Sequence, residues 1–207
     1  RKLLELSFSE GVKKFLHIST TSIYSSPSRK PYDENSVPNP NNLYSLSKFM
    51  GDSLLKVMSV NSKNDTESVV LRFPSIFGLQ HSGGLVYTYY TLAKENKEIE
   101  IYNEGKTMRN LLFIDHAVEA ILLFINGKSS DKKYNEFIVG SSNSLSSMGI
   151  ASYIKQKIRS SSKLIPVSKS SQIIDDVYLD GSKLETTHNF RLHSIEEGLN
   201  EFLKFSS

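Results

Sequence analysis

The chain has 207 residues, no cysteine and a net charge of +3. Its 38% hydrophobic and 23% charged content suits a globular fold and excludes a composition-driven disordered chain. Without thiols there are no disulfides, no thiolate catalysis and no cysteine metal sites, and scattered lysine pairs such as Lys13–Lys14 and Lys132–Lys133 do not form the basic stripe that nucleic-acid binding requires.

No apolar run approaches the ~18 residues of a membrane span. Arg1–Glu10 has Leu3, Leu4 and Phe8 at helical spacing and no signal-peptide pattern. It reads as a helix ending near Gly11, inside a domain whose earlier portion is expected upstream. A short strand at Phe15–Ser19 follows, then a Pro- and Asn-rich loop from Ser25 to Asn42 that excludes regular structure. A long helix is predicted from about Asn42 to Asn61, and a strand over Ser68–Phe73 is closed by Pro74.

Leu85–Glu95 reads as a helix, with Gly83-Gly84 as its start or a hinge. Ile99–Tyr102 reads as a strand before the turn Asn103-Glu104-Gly105, and Leu111–Ile114 as another strand. Asp115 is placed as the cap of a helix with Ala117, Ala120, Ile121 and Phe124 on one face. A strand at Tyr134–Val139 and a helix at Ser146–Ile158 come next. Ser160–Ser171, rich in Ser and Lys, is expected as a surface loop. Ser194 with Glu197 marks a capping box opening the last helix, whose apolar side is Leu199, Phe202 and Leu203. Strands alternating with helices imply βαβ units and a parallel sheet, an α/β protein.

Tyr44 and Lys48 lie one helical turn apart at the start of the long helix, on one face. At about 100° per residue, Gly51 and Leu55 continue that stripe, and Gly51 is expected to admit a ligand or another backbone. A phenol titrates near 10, too high for a base at neutral pH. A neighbouring ammonium favours the phenolate, so the pair can exchange a proton with a hydroxyl or carbonyl. Thr20 closes a strand at the carboxyl edge, where open α/β sheets bind ligands, and its hydroxyl is expected to hydrogen-bond Tyr44 and a substrate oxygen.

Phe15–Tyr24 followed by Asn42-Leu43-Tyr44-Ser45-Leu46-Ser47-Lys48 resembles the catalytic region of extended short-chain dehydrogenase/reductases, more narrowly the NAD-dependent nucleotide-sugar epimerase/dehydratase family. Leu71–Gly78, Ile101–Gly105, Arg109–Asp115 and Ser194–Phe205 continue the resemblance in order. It implies the C-terminal part of a Rossmann-like parallel sheet with helices on both faces, plus a smaller α/β substrate-binding lobe. Residues 1–78 would be the second half of the dinucleotide-binding domain and 79–207 mainly the lobe, with 111–139 returning to the sheet.

The resemblance further implies Thr20, Tyr44 and Lys48 as the catalytic residues. Ser19, Tyr44, Lys48, Phe73, Pro74 and Ile76 would lie against NAD or NADP. Thr21, Ser22, Ser75, Tyr102 and Arg109 would meet a nucleotide-sugar, Arg109 at the diphosphate. The glycine-rich phosphate loop and the acidic ribose ligand of the family are not in these residues, so the fragment alone is expected to hold cofactor poorly. Ser75 stands where many members have Asn. Asp175 and Asp176 occupy a stretch that often carries a second phosphate-binding arginine. Family dehydratases follow the threonine with Asp-Glu, and Thr21-Ser22 here favours epimerisation or keto-sugar reduction. The absence of cysteine fits a reducing cytoplasm, and the surplus apolar residues Phe49, Met50, Leu54, Val57 and Met58 of the long helix, with the pairing of such helices that the resemblance implies, predict a homodimer through the Tyr44–Lys48 helix. A same-fold reductase of a non-sugar carbonyl and a non-catalytic binding protein stand as alternatives.

Five histidines, His17, His81, His116, His188 and His193, show no metal-ligand spacing, and no Gly-x-Ser-x-Gly elbow exists.

Overall fold

The computed structural model describes residues 1–25, 31–127, 132–168 and 176–205. Pro27, Asp175 and the end of the Ser160–Ser171 segment lie outside them. Two compact units are formed: Arg1–Pro74 with Ala117–Val139 and Asp180–Arg191, and Ser75–His116 with Gly140–Leu179 and Leu192–Ser207.

The first unit is built on a parallel sheet in the order β1 (Lys14–Thr20), β2 (Glu67–Phe73), β7 (Tyr134–Ile138). Every residue of β2 is buried, as a central parallel strand requires. Alternation along β2 sends Val70 to one face, where it meets Leu4 and Phe8 of α1 (Lys2–Ser9) and Leu55 of α2 (Leu43–Asn61). Leu71, on the opposite face, is in register with Phe137. Phe137 packs on Phe124 of α4 (Ile114–Asn126) at 5.1 Å and on His188 of α6 (Ser182–His188) at 5.2 Å between ring centroids. Helices therefore cover both faces of the sheet.

α1 ends as expected at Glu10, and Gly11 adopts φ +68°, the left-handed conformation of a helix-terminating residue. Leu4 and Phe8 of its apolar set are buried, whereas Leu3 is exposed. α2 opens on a capping box: Asn42 Oδ1 accepts from the Ser45 amide, and Ser45 Oγ accepts from the Asn42 amide.

The second unit has three two-stranded ladders. β3 (Ser75–Phe77) pairs parallel with β6 (Leu111–Phe113), β4 (Ile99–Tyr102) parallel with β9 (Leu164–Val167), and β5 (Met108–Arg109) antiparallel with β8 (Leu145–Ser146). α3 (Gly84–Lys94), α5 (Ser147–Lys157) and α7 (Ile195–Phe205) close over them around Phe77, Ile101, Phe113, Ile154, Leu199 and Phe202. The capping box at α7 forms as expected: the Glu197 amide donates to Ser194 Oγ, and the Ser194 amide donates to the Glu197 carboxylate at 2.7 Å. Gly83 is the N-cap of α3, a helix start.

Four expectations differ. Leu164–Val167, placed in a surface loop, is β9, because its apolar residues find the edge of β4. Asp115 lies inside α4 rather than capping it, since the helix begins at Ile114; its carboxylate still complements the helix N-terminus. β6 pairs with β3, so of the 111–139 segment only β7 joins the three-stranded sheet. Asp180–Arg191 belongs to the first unit, where Lys183 Nζ donates to the Glu136 carbonyl at 2.7 Å and stands over the Phe137 ring.

Candidate active site

Thr20 is the last residue of β1 and Thr21 begins a 3₁₀ turn, so the sheet edge delivers four hydroxyls in succession, Ser19 to Ser22. Ser19, Thr20 and Thr21 are buried, and Ser22 is exposed. Thr20 Oγ1 accepts from the Ser22 amide and donates to Ser22 Oγ, both at 3.1 Å. The Thr20 hydroxyl thus caps the turn instead of bonding Tyr44. Ser25 Oγ is drawn to the Asn39 carbonyl, which ties the far end of the turn to the loop.

Tyr44 sits in the first turn of α2 and is 56% exposed, not packed into the core. One turn on, Lys48 Nζ donates to the Ile18 carbonyl at 3.1 Å. That bond fixes the ammonium beside the carboxyl end of β1 and uses one of its three donors. Among the described residues no hydrogen bond links Tyr44, Lys48 and Thr20 to one another. Gly51 does not admit a ligand: a Cβ there would stand 2.9 Å from His17 Nε2, so the missing side chain accommodates that imidazole.

Behind this turn lies a charge cluster. Arg72, 4% exposed and next to the last residue of β2, donates to Asp52 Oδ2 at 3.0 Å, to the Tyr24 hydroxyl at 2.7 Å and to Glu136 Oε2 at 2.6 Å. His17 Nε2 lies 3.4 Å from Asp52 Oδ1. Burial acts to raise the Asp52 carboxyl, but neighbouring His17, Ser19 and Arg72 hold it below its ordinary value. Burial likewise acts to lower the Arg72 guanidinium, yet Tyr24, Glu136 and Asp52 keep it above its ordinary value. Tyr24, stacked on Tyr32 at 5.2 Å, is pushed up to about 12, chiefly by burial.

Sequence reasoning passed over this cluster, although two signals were available. Asp52 continues the Tyr44, Lys48 spacing by another four residues, and an arginine inside Ser-Val-Val-Leu-Arg-Phe demands a buried anion.

Phe73 and Pro74 are buried at the end of β2 in the first unit. Ser75, exposed, and Ile76, half-buried, begin the second. Tyr102 is 55% exposed at the end of β4. Arg109 is half-buried in β5, and its Nε is hidden from solvent with no hydrogen-bond partner among the described residues. Burial draws its guanidinium below the ordinary value, against the pull of Tyr89 and Asp176. A hidden N–H without an acceptor costs about 1–3 kcal/mol, which an anionic ligand would recover. Among the described residues there is no acid or imidazole cluster able to hold a metal ion, and no helix long and apolar enough to cross a membrane.

The model of the NAD dependent epimerase/dehydratase family matches residues 1–140. The chain belongs to that family. It is 25% identical over 158 residues to dTDP-D-glucose 4,6-dehydratase of Mus musculus, a match covering 76% of this chain and 43% of the mouse protein. Its fold is similar to the UDP-glucose 4-epimerase of Thermotoga maritima solved with UDP-glucose, with a TM-score of 0.85 and 21% identity over 99% of this chain and 66% of that one. It is also similar to the UDP-glucuronic acid 4-epimerase of Bacillus cereus in complex with UDP-glucuronic acid and NAD, with a TM-score of 0.84 and 23% identity over 100% of this chain and 66% of that one. The chain therefore spans less than half of the mouse relative and about two thirds of these structural neighbours.

Proposed function

We propose that this chain is the catalytic and substrate-binding part of an NAD(P)-dependent enzyme that epimerises, or reduces a keto form of, a nucleotide-activated sugar. The observation that carries the reading is the bond from Lys48 to the Ile18 carbonyl, which holds the Tyr44–Lys48 turn beside the strand end where Thr20 and Ser19 lie.

The residues fit a nicotinamide nucleotide. Lys48 retains donors for ribose hydroxyls and Tyr44 is open to solvent. Bound there, the nicotinamide would supply hydride exchange. Tyr44 would take the proton of a sugar hydroxyl as its carbon is oxidised and return it when the ketone is reduced. Lys48 would favour the phenolate through its charge. Thr20, engaged with Ser22, would orient the substrate oxygen rather than move its proton. Phe73, Pro74 and Ile76 would wall the cofactor; Thr21, Ser22, Ser75 and Tyr102 would flank the sugar nucleotide; and Arg109 would give its unpaired Nε–H to a phosphate oxygen.

Dehydration is disfavoured despite the likeness to the mouse dehydratase. The two positions after Thr20 carry hydroxyls, which cannot replace an acid-base carboxylate pair at neutral pH. Asp52 and Glu136 are committed to Arg72.

α2 supports pairing of two copies. It is not a fully buried helix: Leu43, Leu46, Met50, Val57 and Val60 are exposed. Light scattering on the full-length protein tests this, and a strict monomer at micromolar concentration refutes it.

The activity test is Tyr44→Phe in the full-length protein with UDP-, dTDP- and GDP-sugars. Turnover should fall by ~10²–10⁴ with little change in melting temperature. Unchanged turnover refutes the mechanism, and stabilisation by a non-sugar carbonyl alone favours the same-fold reductase.

A further inference from the structure

Arg72 reaches into three other segments of the first unit, and two of them carry residues of the proposed site. Its Nη1 donates at 2.7 Å to the hydroxyl of Tyr24, the residue that ends the 3₁₀ turn Thr21–Ile23. Its Nε donates at 3.0 Å to Asp52, one turn along α2 from Lys48 and two from Tyr44. Its Nη2 donates at 2.6 Å to Glu136 of β7. Arg72 itself stands beside Ser19 in the register of β1 and β2 and directly precedes Phe73 and Pro74. One planar group therefore meets the hydroxyl turn after Thr20 and the helix of the Tyr44–Lys48 pair.

Both arms are held firmly. The buried Tyr24 ring stacks on Tyr32 at 5.2 Å, and the Tyr24 amide donates to the Thr21 carbonyl at 3.0 Å, so a shift of the phenol moves the turn. Ile23, fully buried, gives its carbonyl to the Asn39 amide at 2.7 Å. On the helix arm, buried Asp52 has its Oδ1 3.4 Å from His17 Nε2, and the same imidazole fills the notch left by Gly51. His17 adjoins Ile18, whose carbonyl takes Lys48. Such a cluster is a weak source of stability: desolvation of buried ions offsets their attraction, and apolar side chains of like volume hold elements together as well. What apolar packing lacks is direction, because a guanidinium fork takes its partners in its own plane and at fixed angles.

We propose that Tyr24 and Arg72 are positioning residues for the sugar chemistry, locking the Thr20–Ser22 turn to the Tyr44–Lys48 turn. The proposal rests on the reading of Tyr44 as acid/base. Among the described residues no hydrogen bond joins Thr20 to Tyr44 or Lys48, so their separation is set from behind, by the two Arg72 arms together with the Lys48–Ile18 bond. β7 carries no residue assigned to the site, so the Glu136 arm bears on the stability of the cluster and not on that separation.

Tyr24→Phe in the full-length protein tests this, with whichever UDP-, dTDP- or GDP-sugar it turns over. The variant keeps the stacked ring and removes only the hydroxyl. Its kcat should fall ~10–10²-fold, the size expected when reacting groups are misplaced, with KM within about twofold. Glu136→Gln is the control from the same cluster: it should lower the melting temperature while kcat stays within about threefold. Arg72→Lys keeps the charge but offers one ammonium in place of the fork. Its kcat should fall at least as far, and it carries the test if Tyr24→Phe does not fold. Full turnover in Tyr24→Phe, a loss confined to KM, or an equal loss of kcat in Glu136→Gln at the same melting temperature would overturn the proposal. Tyr44→Phe measured alongside separates the two readings. Retained turnover there removes the acid/base reading and this proposal with it; lost turnover there, with full turnover in Tyr24→Phe, removes this proposal alone.

Discussion

The two units bury opposite kinds of material at their centres. The first places a guanidinium in its central strand and surrounds it with Asp52, Glu136 and Tyr24. The second fills its centre with rings, Phe77 against Phe113 at 5.6 Å and Phe202 edge-on to Phe77 at 6.1 Å and to Tyr90 at 5.4 Å. A buried ion cluster is directional and tolerates no missing partner, whereas an apolar core is held by volume and area. The first unit should therefore fail when a charge is lost, and the second when space is opened or overfilled.

The largest effect is expected for Asp52→Ala in the first unit. It leaves the buried Arg72 short of its more deeply buried carboxylate and should cost about 3–5 kcal/mol in denaturant unfolding; a loss under about 1 kcal/mol would break the comparison. The pH dependence sharpens it. The folded Asp52 carboxyl titrates below its ordinary 3.8. Its stabilisation is therefore complete above that value and is lost as pH falls through the lower folded one. The wild-type protein should show this acid limb in its melting temperature, and Asp52→Ala should lack Asp52's share of it.

In the second unit Phe202→Ala should approach the same cost, about 3–5 kcal/mol, through the cavity it leaves. That loss should stay constant across the same acid range, and an acid-dependent loss would undo the distinction. Gly198→Ala acts in the opposite sense. Its Cβ would meet Phe113 Cβ at 2.7 Å and Phe77 Cζ at 3.1 Å, so overpacking should cost about 1–3 kcal/mol. Smallest is Asn42→Ala at the α2 cap, about 1 kcal/mol, with a proportionate fall in activity only if fraying reaches Tyr44.

The elements were legible where local chemistry decides them. Pro74 ends β2, Ser194 with Glu197 opens α7, and Gly11 closes α1, each through backbone constraints acting within a few residues. The candidate catalytic turn was legible because Tyr44 and Lys48 share one helix face whatever that helix packs on. The Asp52–Arg72 cluster was not read, since its members come from α2, β2, β7 and the turn after β1. β9 was missed for a related reason: Leu164–Val167 carries Pro166 and lies in a Ser/Lys-rich stretch, and it becomes a strand only beside β4.

By itself the sequence determined the longer helices and strands, the α/β class and the residues offering hydroxyl, phenol and ammonium groups, since periodicity, caps and prolines act at short range, while β3, β5, β8, β9 and α6 went unread. Only the tertiary structure decided that Thr20 caps its own turn, that Gly51 makes room for His17, that Lys48 is held by a strand carbonyl, and that Arg72 is neutralised. The last three depend on atoms distant in sequence meeting within hydrogen-bond or van der Waals reach, which no local pattern encodes, and the first on which of two local partners the Thr20 hydroxyl takes.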